Sequence, residues 1–123
     1  MGINEHEKGN YESALNFYDK VLETGELIDF VYYEKGMTYS VMGNHEKSLE
    51  MGQLLIENAS RDELEAMGYM LKGNALDNLG TPLEAIKEYI EGIDETDFFM
   101  LHLNLGITYL RLDMDSLAAI SFA

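Results

Sequence analysis

One phrase occurs twice in this chain, and its spacing constrains the fold more than any other feature. The segment KGNYESALNFY (Lys8–Tyr18) is followed by MGNHEKSLEMG (Met42–Gly52), so that Gly9-Asn10 recurs as Gly43-Asn44, 34 positions later. A fixed period of this length is typical of repeat proteins, in which one unit cannot bury its apolar face alone and stacks on the next. We therefore expect stacked copies of one structural unit.

The repeated unit has the pattern of a helical hairpin. Apolar residues between Tyr11 and Leu22 follow the i, i+3, i+4, i+7 spacing of an amphipathic helix, and the same spacing continues along the chain. Thr81-Pro82 predicts a helix start, with a capping hydroxyl and a proline at the first position. Short turns are expected at Gly9-Asn10, Thr24-Gly25, Gly43-Asn44, Asn58–Arg61, Gly80-Thr81 and Asp94–Asp97. They divide an all-α chain into helices at about 1–8, 10–23, 28–42, 44–58, 62–79, 81–93, 98–112 and 114–123.

The later copies preserve the spacing of the key residues better than their identities. Gly36 aligns with Gly73 and Gly106, at separations of 37 and 33 positions. A glycine on one helix and a small residue on its neighbour let two backbones approach closely, and an aromatic residue four positions later packs over that contact. The small residues are Ala14, Ser48, Ala85 and Ala118, and the residues four positions later are Tyr18, Gly52, Tyr89 and Phe122.

These positions resemble the tetratricopeptide repeat family, whose first helix carries aromatic-x-x-Leu-Gly-x-x-Tyr. The matching segments are Tyr32-x-x-Lys35-Gly36-x-x-Tyr39, Tyr69-x-x-Lys72-Gly73-x-x-Leu76 and His102-x-x-Leu105-Gly106-x-x-Tyr109. The resemblance implies an α-solenoid of about three and a half hairpins in a right-handed superhelix. It implies a single domain over 1–123, with repeats at approximately 1–28 (partial), 29–62, 66–98 and 99–123 (partial).

Several departures from the family pattern carry expectations of their own. Lys35 and Lys72 replace the family's leucine, and Gly52 and Gly92 are expected to weaken the second helices. Three extra residues near Asn58–Asp62 predict an irregular joint between the second and third copies. The tail SLAAISFA is apolar rather than a polar cap, which favours either a longer array or pairing of copies through open ends as a homo-oligomer.

In this family the first helices line a groove that holds an extended or helical peptide. The resemblance therefore implies a partner-binding groove that accepts an apolar segment of a protein or peptide. Methionine is frequent at these positions, and its flexible side chain suits adaptable binding surfaces. A stripe of methionine and aromatic residues is equally typical of plain core, and that alternative stays open. The predicted groove residues are Phe30, Tyr33, Met37, Met67, Met70, Asn74, Asn78, Met100, Leu103, Asn104, Ile107 and Arg111.

One specialised version of the family holds C-terminal carboxylates in a clamp of lysine, asparagine and arginine. Asn74 and Asn104 match two of its asparagines, but Met70 stands where the clamp needs a lysine. The net charge of −15 also opposes an acidic peptide. We therefore reject a carboxylate clamp.

No constellation for catalysis or metal binding is visible. His6, His45 and His102 belong to different repeats, and none is part of a His-Glu-x-x-His pattern. His102 occupies the position of a packing aromatic, which predicts a core or half-buried side chain. Asp113-x-Asp115 lacks the glycine and the closing glutamate of a calcium loop and is expected to form a turn and helix cap. We expect a protein that is not an enzyme, with no cofactor.

Charge and composition limit the partners. With 23 acidic and 8 basic side chains, the chain would repel DNA and RNA. No cysteine occurs, no apolar stretch approaches the ~20 residues of a membrane span, and no signal peptide is visible, so we expect a cytoplasmic protein without membrane contact. The predicted function is a protein–protein interaction module or scaffold. The alternative is a dedicated chaperone for an aggregation-prone partner, by analogy with acidic tetratricopeptide chaperones of secretion systems.

Overall fold

The protein is all-helical, with six helices and no strand among the described residues. The computed structural model describes the backbone of residues 5–121 and the side chains of residues 8–113. The helices, in chain order, are α1 (Glu5–Glu23), α2 (Ile28–Val41), α3 (His45–Asn58), α4 (Asp62–Asn78), α5 (Pro82–Thr96) and α6 (Phe99–Ser121). The all-α prediction is therefore confirmed.

Four of the six predicted turns separate helices where the sequence places them, and glycine makes three of these turns. Gly25, Gly43 and Gly80 each have a positive φ, which lets the chain leave a helix in the left-handed conformation that other residues disfavour. Pro82 begins α5 as predicted. The Thr81 hydroxyl does not cap that helix, because it donates instead to the carbonyl oxygen of Leu76 at 2.9 Å. A fifth turn lies slightly later than expected, since α5 ends at Thr96 and Asp97 adopts a left-handed conformation.

Two predicted helix breaks are wrong. The chain runs through Gly9-Asn10 within α1 and through Asp113 within α6. Glycine in a helix costs about 1 kcal/mol relative to alanine, and the cost alone does not end a helix whose neighbouring residues favour it. Asp113 has neither glycine nor proline beside it to force a turn. The predicted turn and cap at Asp113 is consequently an internal part of a helix.

The helices form two layers. Each helix contacts the next one along the chain, and the even-numbered helices also contact one another, α2 with α4 and α4 with α6. Among the described residues, α3 has no such contact with α1 or α5. The even-numbered layer is therefore the more closely packed, and a cleft separates α3 from α5 on the other side of α4.

The core is centred on α3, α4 and α5. One cluster of buried side chains contains Tyr69, Ala85, Tyr89 and Leu101, and a second contains Leu55, Leu64 and Leu71. The predicted packing of an aromatic ring over glycine is present in the α4–α5 hairpin. It is absent from the α2–α3 hairpin, where the residue four positions after Ser48 is Gly52 and where Leu71 and Met51 lie against Gly36 instead. A Cβ added to Gly73 would lie 2.2 Å from the Tyr89 ring, and the Ser48 hydroxyl donates to the carbonyl oxygen of Gly36 at 3.0 Å.

Gly52 and Gly92 are contact positions rather than weaknesses. A Cβ on Gly52 would lie 2.8 Å from the carbonyl oxygen of Gly68, and a Cβ on Gly68 would lie 2.9 Å from that of Gly52. A Cβ on Gly92 would lie 2.7 Å from Tyr69. The absence of a side chain at these positions lets α3 approach α4 closely and lets α5 approach both α4 and the start of α6, where Leu101 would lie 2.9 Å from a Cβ on Gly92.

The buried carboxylate of Asp29 anchors the α3–α4 connection, which contains the three extra residues. Asp29 accepts hydrogen bonds from the Ser60 hydroxyl at 2.6 Å, from the Ser60 backbone N–H at 2.8 Å and from the Phe30 backbone N–H at 2.8 Å. Burial alone would raise the pKa of Asp29, but the hydrogen bonds from Ser60 and Phe30 outweigh it, so that the pKa lies below its usual value. The α3–α4 connection is thereby bound to the start of α2.

Candidate functional site

The even-helix face, defined as the twelve predicted groove residues on α2, α4 and α6, contains no buried residue. Phe30 is 47% exposed and Leu103 is 53% exposed, although both are large apolar side chains. The exposed members are Phe30, Met37, Asn74, Asn78, Leu103, Ile107 and Arg111, and the half-buried members are Tyr33, Met67, Met70, Met100 and Asn104. Because α4 contacts both α2 and α6, the three rows lie on adjacent helices.

Part of this face also belongs to the core. Tyr33 and Met67 pack against the cluster of Leu55, Leu64 and Leu71. Met70 packs against the cluster that contains Tyr89. The two hypotheses for this stripe, binding surface and core, thus each describe some of its residues. The half-buried members form the floor, and the exposed members are accessible to a ligand.

The polar members of the face are held in place by the neighbouring helices. The Tyr89 hydroxyl donates to Oδ1 of Asn74 at 2.5 Å, and burial raises the pKa of Tyr89 to about 12, which keeps the phenol protonated. Asn78 donates to the backbone carbonyl of Asn74. Since Oδ1 of Asn74 is occupied by Tyr89, its Nδ2 is the group that an incoming acceptor would meet.

The charges on the face are largely compensated. Arg111 forms an ion pair with Asp77, one turn of α4 beyond Asn74. The Nδ2 atom of Asn104 is enclosed and has no hydrogen-bond partner within the protein. A surface of apolar side chains, amides and one neutralised arginine suits a main chain and apolar side chains better than a free carboxylate.

A second cavity lies on the opposite side of α4, in the cleft between α3 and α5. It has a volume of about 590 Å³ and is lined by Glu46, Leu49, Glu50, Gln53, Lys72, Leu76, Glu84, Lys87 and Glu88. At its floor the Lys72 ammonium donates to Oε1 of Gln53 at 2.6 Å and lies 3.2 Å from Oε2 of Glu88. Glu88 thus compensates the charge of Lys72, and the charged side chains of Glu46, Glu50, Glu84 and Lys87 also line the cavity.

The two lysines that depart from the family pattern make the same contact in successive repeats. Lys35 reaches Asp19 on α1 at 2.7 Å, as Lys72 reaches Gln53 on α3. Asp19 and Gln53 are themselves separated by 34 positions. In the sequence the lysines are visible only as substitutions of the family's leucine, without their partners. Each lysine directly precedes the aligned glycine of its repeat, at a separation of 37 positions, while Asp19 and Gln53 keep the 34-residue period, and this alignment was the available signal.

Metal-ligating side chains are not clustered in the part of the chain that the structure describes. No group of three histidine, cysteine, aspartate or glutamate side chains is placed to hold a metal ion there. His102 is exposed, so the predicted core or half-buried position is wrong; its Nε2 lies 2.8 Å from Asp97. Among the described residues, α2 is followed by α3 and α4 by α5, which pack against them, and His102 lies on a side of α6 that no described helix covers. Within the described range, no helix has both the length and the apolar character needed to cross a membrane.

Comparison with known proteins gave no match, whether to a family model, to a curated protein or to a solved structure.

Proposed function

We propose that this chain is a tetratricopeptide-type α-solenoid and a non-catalytic protein–protein interaction module, which binds an apolar segment of a partner on the even-helix face. The two-layer arrangement supports the proposal. In a stack of hairpins, the layer with direct helix–helix contacts lies on the inside of the curve. The even-helix face would then be the concave side, which embraces a peptide from more than one direction.

The observation that carries the proposal is the exposure of large apolar side chains on adjacent helices. Phe30 and Met37 on α2 and Leu103 and Ile107 on α6 remain exposed across the half-buried methionines of α4. An exposed apolar patch on a protein with a net charge of −15 is costly unless a partner covers it. Burying such a patch would supply most of the binding free energy, at roughly 25 cal/mol per Å² of apolar area.

The polar groups and the net charge define the partner more closely. The amide of Asn74, oriented by Tyr89, can donate to a peptide carbonyl without requiring a charged ligand. The strong negative charge of the chain would attract a segment with basic flanks and speed its association at low salt. We therefore propose a partner segment with an apolar centre and lysine or arginine on either side.

Selection from a library of displayed random peptides tests this function. We expect the wild-type chain to select peptides of the proposed composition, with dissociation constants of about 1–100 μM. The double variant Met37→Glu/Leu103→Glu should weaken binding at least about tenfold, a loss of roughly 1.4 kcal/mol or more. Both positions are exposed, whereas Tyr33 and Met70 pack against the core, and a charge there would also disturb folding.

A matched control distinguishes an effect of the even-helix face on binding from an effect of the added negative charge. The variant Leu83→Glu/Ile90→Glu adds the same two charges at exposed positions of α5 outside the face. Its affinity for the selected peptides should stay within about twofold of wild type, because surface changes away from the site have small effects. Failure to select any peptide, or equal weakening by both double variants, would contradict the proposal. The chaperone alternative predicts binding of long unfolded clients but not of short peptides.

A further inference from the structure

The cleft between α3 and α5 has a row of acidic side chains along each wall. In both rows the residues follow the spacing i, i+4, i+7, i+11, which places them on one face of their helix. The α3 row is Glu46, Glu50, Gln53 and Glu57, and the α5 row is Glu84, Glu88, Glu91 and Glu95. The first three residues of the α3 row and the first two of the α5 row line the cavity of about 590 Å³. We name the two rows, with the part of α4 between them, the acidic cleft.

Lysines offset only part of the charge of the acidic cleft. The two rows contain seven glutamates, against which stand Lys72 on α4 and Lys87 on α5. Lys72 lies 3.2 Å from Glu88 and compensates that carboxylate. Among the described residues, neither Glu91 nor Glu95 forms an ion pair. The cleft therefore retains a strong excess of negative charge along its length.

A buried tyrosine provides a second observation at the same place. Tyr69 is 6% exposed, and its side chain lies against Gly92, which is between Glu91 and Glu95 on α5. Burial, and then the charges of four glutamates with Glu91 the foremost, raise the pKa of Tyr69 to about 12, so the hydroxyl stays protonated. No described residue forms a hydrogen bond with it. Buried polar groups normally have a partner, and this hydroxyl is free to accept a hydrogen bond from an N–H donor.

We propose that the acidic cleft binds an extended segment of a partner protein that is rich in lysine or arginine. Successive side chains of an extended chain point to opposite sides, so such a segment presents cations to both walls at once. Side chains two residues apart on one side are about 6.6 Å apart, close to the ~5–6 Å between glutamates one turn apart on a helix. Leu49 and Leu76, which also line the cavity, can pack against the methylene stems of lysine.

The arrangement of the charges favours a peptide over smaller cations. The carboxylates are spread along two walls, and no group of three described side chains is placed to hold a metal ion. A linear polyamine is a single line of charges, which lies along one row but does not reach both. The acidic cleft is on the opposite side of α4 from the even-helix face, and it requires no apolar ligand. This proposal is therefore independent of the apolar segment proposed above.

Isothermal titration calorimetry with pentalysine, blocked at both ends, tests the proposal. At about 0.1 M salt we expect a dissociation constant of roughly 10–100 μM for wild type. Each wall has a variant that removes two exposed charges seven positions apart, Glu50→Gln/Glu57→Gln on α3 and Glu84→Gln/Glu91→Gln on α5. Each variant should weaken binding at least about threefold, because the peptide contacts both rows. Spermine, a linear tetraamine, should bind wild type at least about tenfold more weakly than pentalysine does.

A matched control separates the acidic cleft from the overall charge of the chain. Glu12→Gln/Glu23→Gln removes two exposed charges from α1, which packs on α2 and on neither α4 nor α5 among the described residues. Its affinity for pentalysine should stay within about 1.5-fold of wild type, because salt at 0.1 M screens exposed charges beyond about 10 Å. The even-helix variant Met37→Glu/Leu103→Glu should bind pentalysine no more weakly than wild type. Its result distinguishes failure of this proposal from failure of the apolar groove.

Nuclear magnetic resonance of the wild-type chain supplies a map that needs no variant. Pentalysine should shift backbone amide signals along α3 and α5 and leave those of α2 and α6 unchanged. This map decides the question if circular dichroism shows that a wall variant has lost helicity. The proposal would be overturned by the absence of binding, by shifts centred on the even-helix face, or by equal weakening in the α1 control. Weakening by only one of the two wall variants, or equal affinity for spermine, would also overturn it.

Discussion

Gly73 and Gly106 occupy the same position of the repeated unit and have opposite surroundings. Tyr89 packs against Gly73 so closely that a Cβ would overlap its ring, while Gly106 faces open space. The immediate neighbours differ, Lys-Gly-Asn at one site and Leu-Gly-Ile at the other, but the glycine occupies the same register of a helix at both. The comparison teaches that the motif produces a helix with a site for close packing. Whether that site becomes core depends on the next helix.

The same contrast separates the middle of the molecule from its outer helices. α3 and α4 each contact helices on both sides and contain the fully buried Leu55 and Ala66. Within the part of the chain that the structure describes, α1 contacts α2 alone, and its apolar residues are at best half-buried. Because burial of apolar area is the main stabilising contribution, substitutions of equal size should have very unequal effects in the two regions.

The largest effect is expected for Leu55→Ala. Leu55 is 0% exposed, and its removal leaves a cavity among Leu64, Leu71 and their neighbours. We expect a loss of about 4 kcal/mol in the free energy of unfolding, measured by urea denaturation followed by circular dichroism. Leu110→Ala on α6 is the control, since Leu110 is exposed, and it should cost less than about 0.5 kcal/mol. Equal losses would mean that α6 is as closely packed as the centre.

A pair of glycine substitutions should change stability in opposite directions. Gly73→Ala brings a Cβ within 2.2 Å of Tyr89 and should cost about 3 kcal/mol, because the ring must move. Gly106→Ala meets no atom and should add up to about 1 kcal/mol, since alanine favours helix over glycine. Both changes are measured by the midpoint of thermal unfolding. A stabilising Gly73→Ala would show that the packing over Gly73 is looser than described.

A smaller, pH-dependent effect is expected at Asp29. Its folded-state pKa is lowered, so the charged form stabilises the fold at neutral pH, and that contribution disappears as the pH falls past about 3.8 and through the lowered pKa. Asp29→Asn should cost about 1 kcal/mol at pH 7, through weaker hydrogen bonds with Ser60. The difference from wild type should shrink as the pH falls below 3.8 and through the lowered pKa. Denaturant titrations at several pH values measure both stabilities.

Glu65→Gln is the matched control for that pH dependence. Burial, and then the charges of Glu95 and Asp62, raise the pKa of Glu65. A raised pKa means that the fold favours the protonated form, so wild type should lose stability relative to this variant as the pH rises through that pKa. The two variants should therefore differ from wild type with opposite pH trends. Parallel trends would indicate that overall charge, rather than these two environments, controls the response.

Most of the helix pattern could be predicted because turns and amphipathic spacing are local properties. The positive-φ glycines at 25, 43 and 80 all lie in turns predicted from the sequence. The failures at Gly9-Asn10 and Asp113 have one cause. A residue of low helix propensity ends a helix only where a turn allows the chain to form additional packing contacts. At neither of these places does the structure describe a neighbouring helix that a turn would bring into contact.

The register of the repeats predicted which residues share the even-helix face, but it could not predict the contacts beneath that face. Nothing local in the sequence links Asp29 to Ser60, which is 31 positions away, or connects Lys72 with Gln53 and Glu88 at once. These partners depend on how three helices meet. Similarly, Gly52 was expected to weaken α3, because the sequence does not reveal that Gly68 lies opposite it.

The opposed glycines at 52 and 68 also have a mechanical consequence. A Cβ on either glycine would lie within 2.9 Å of the other's carbonyl oxygen, so the two main chains lie directly against each other there, flanked by the side chains of Lys72 and Ile56. Under tension applied at the two ends, such a joint resists shear as a rigid block, whereas α1 and α6 are held by fewer contacts. A pulled molecule would therefore lengthen by peeling its outer helices first, and the α3–α4 pair would be the last part to yield.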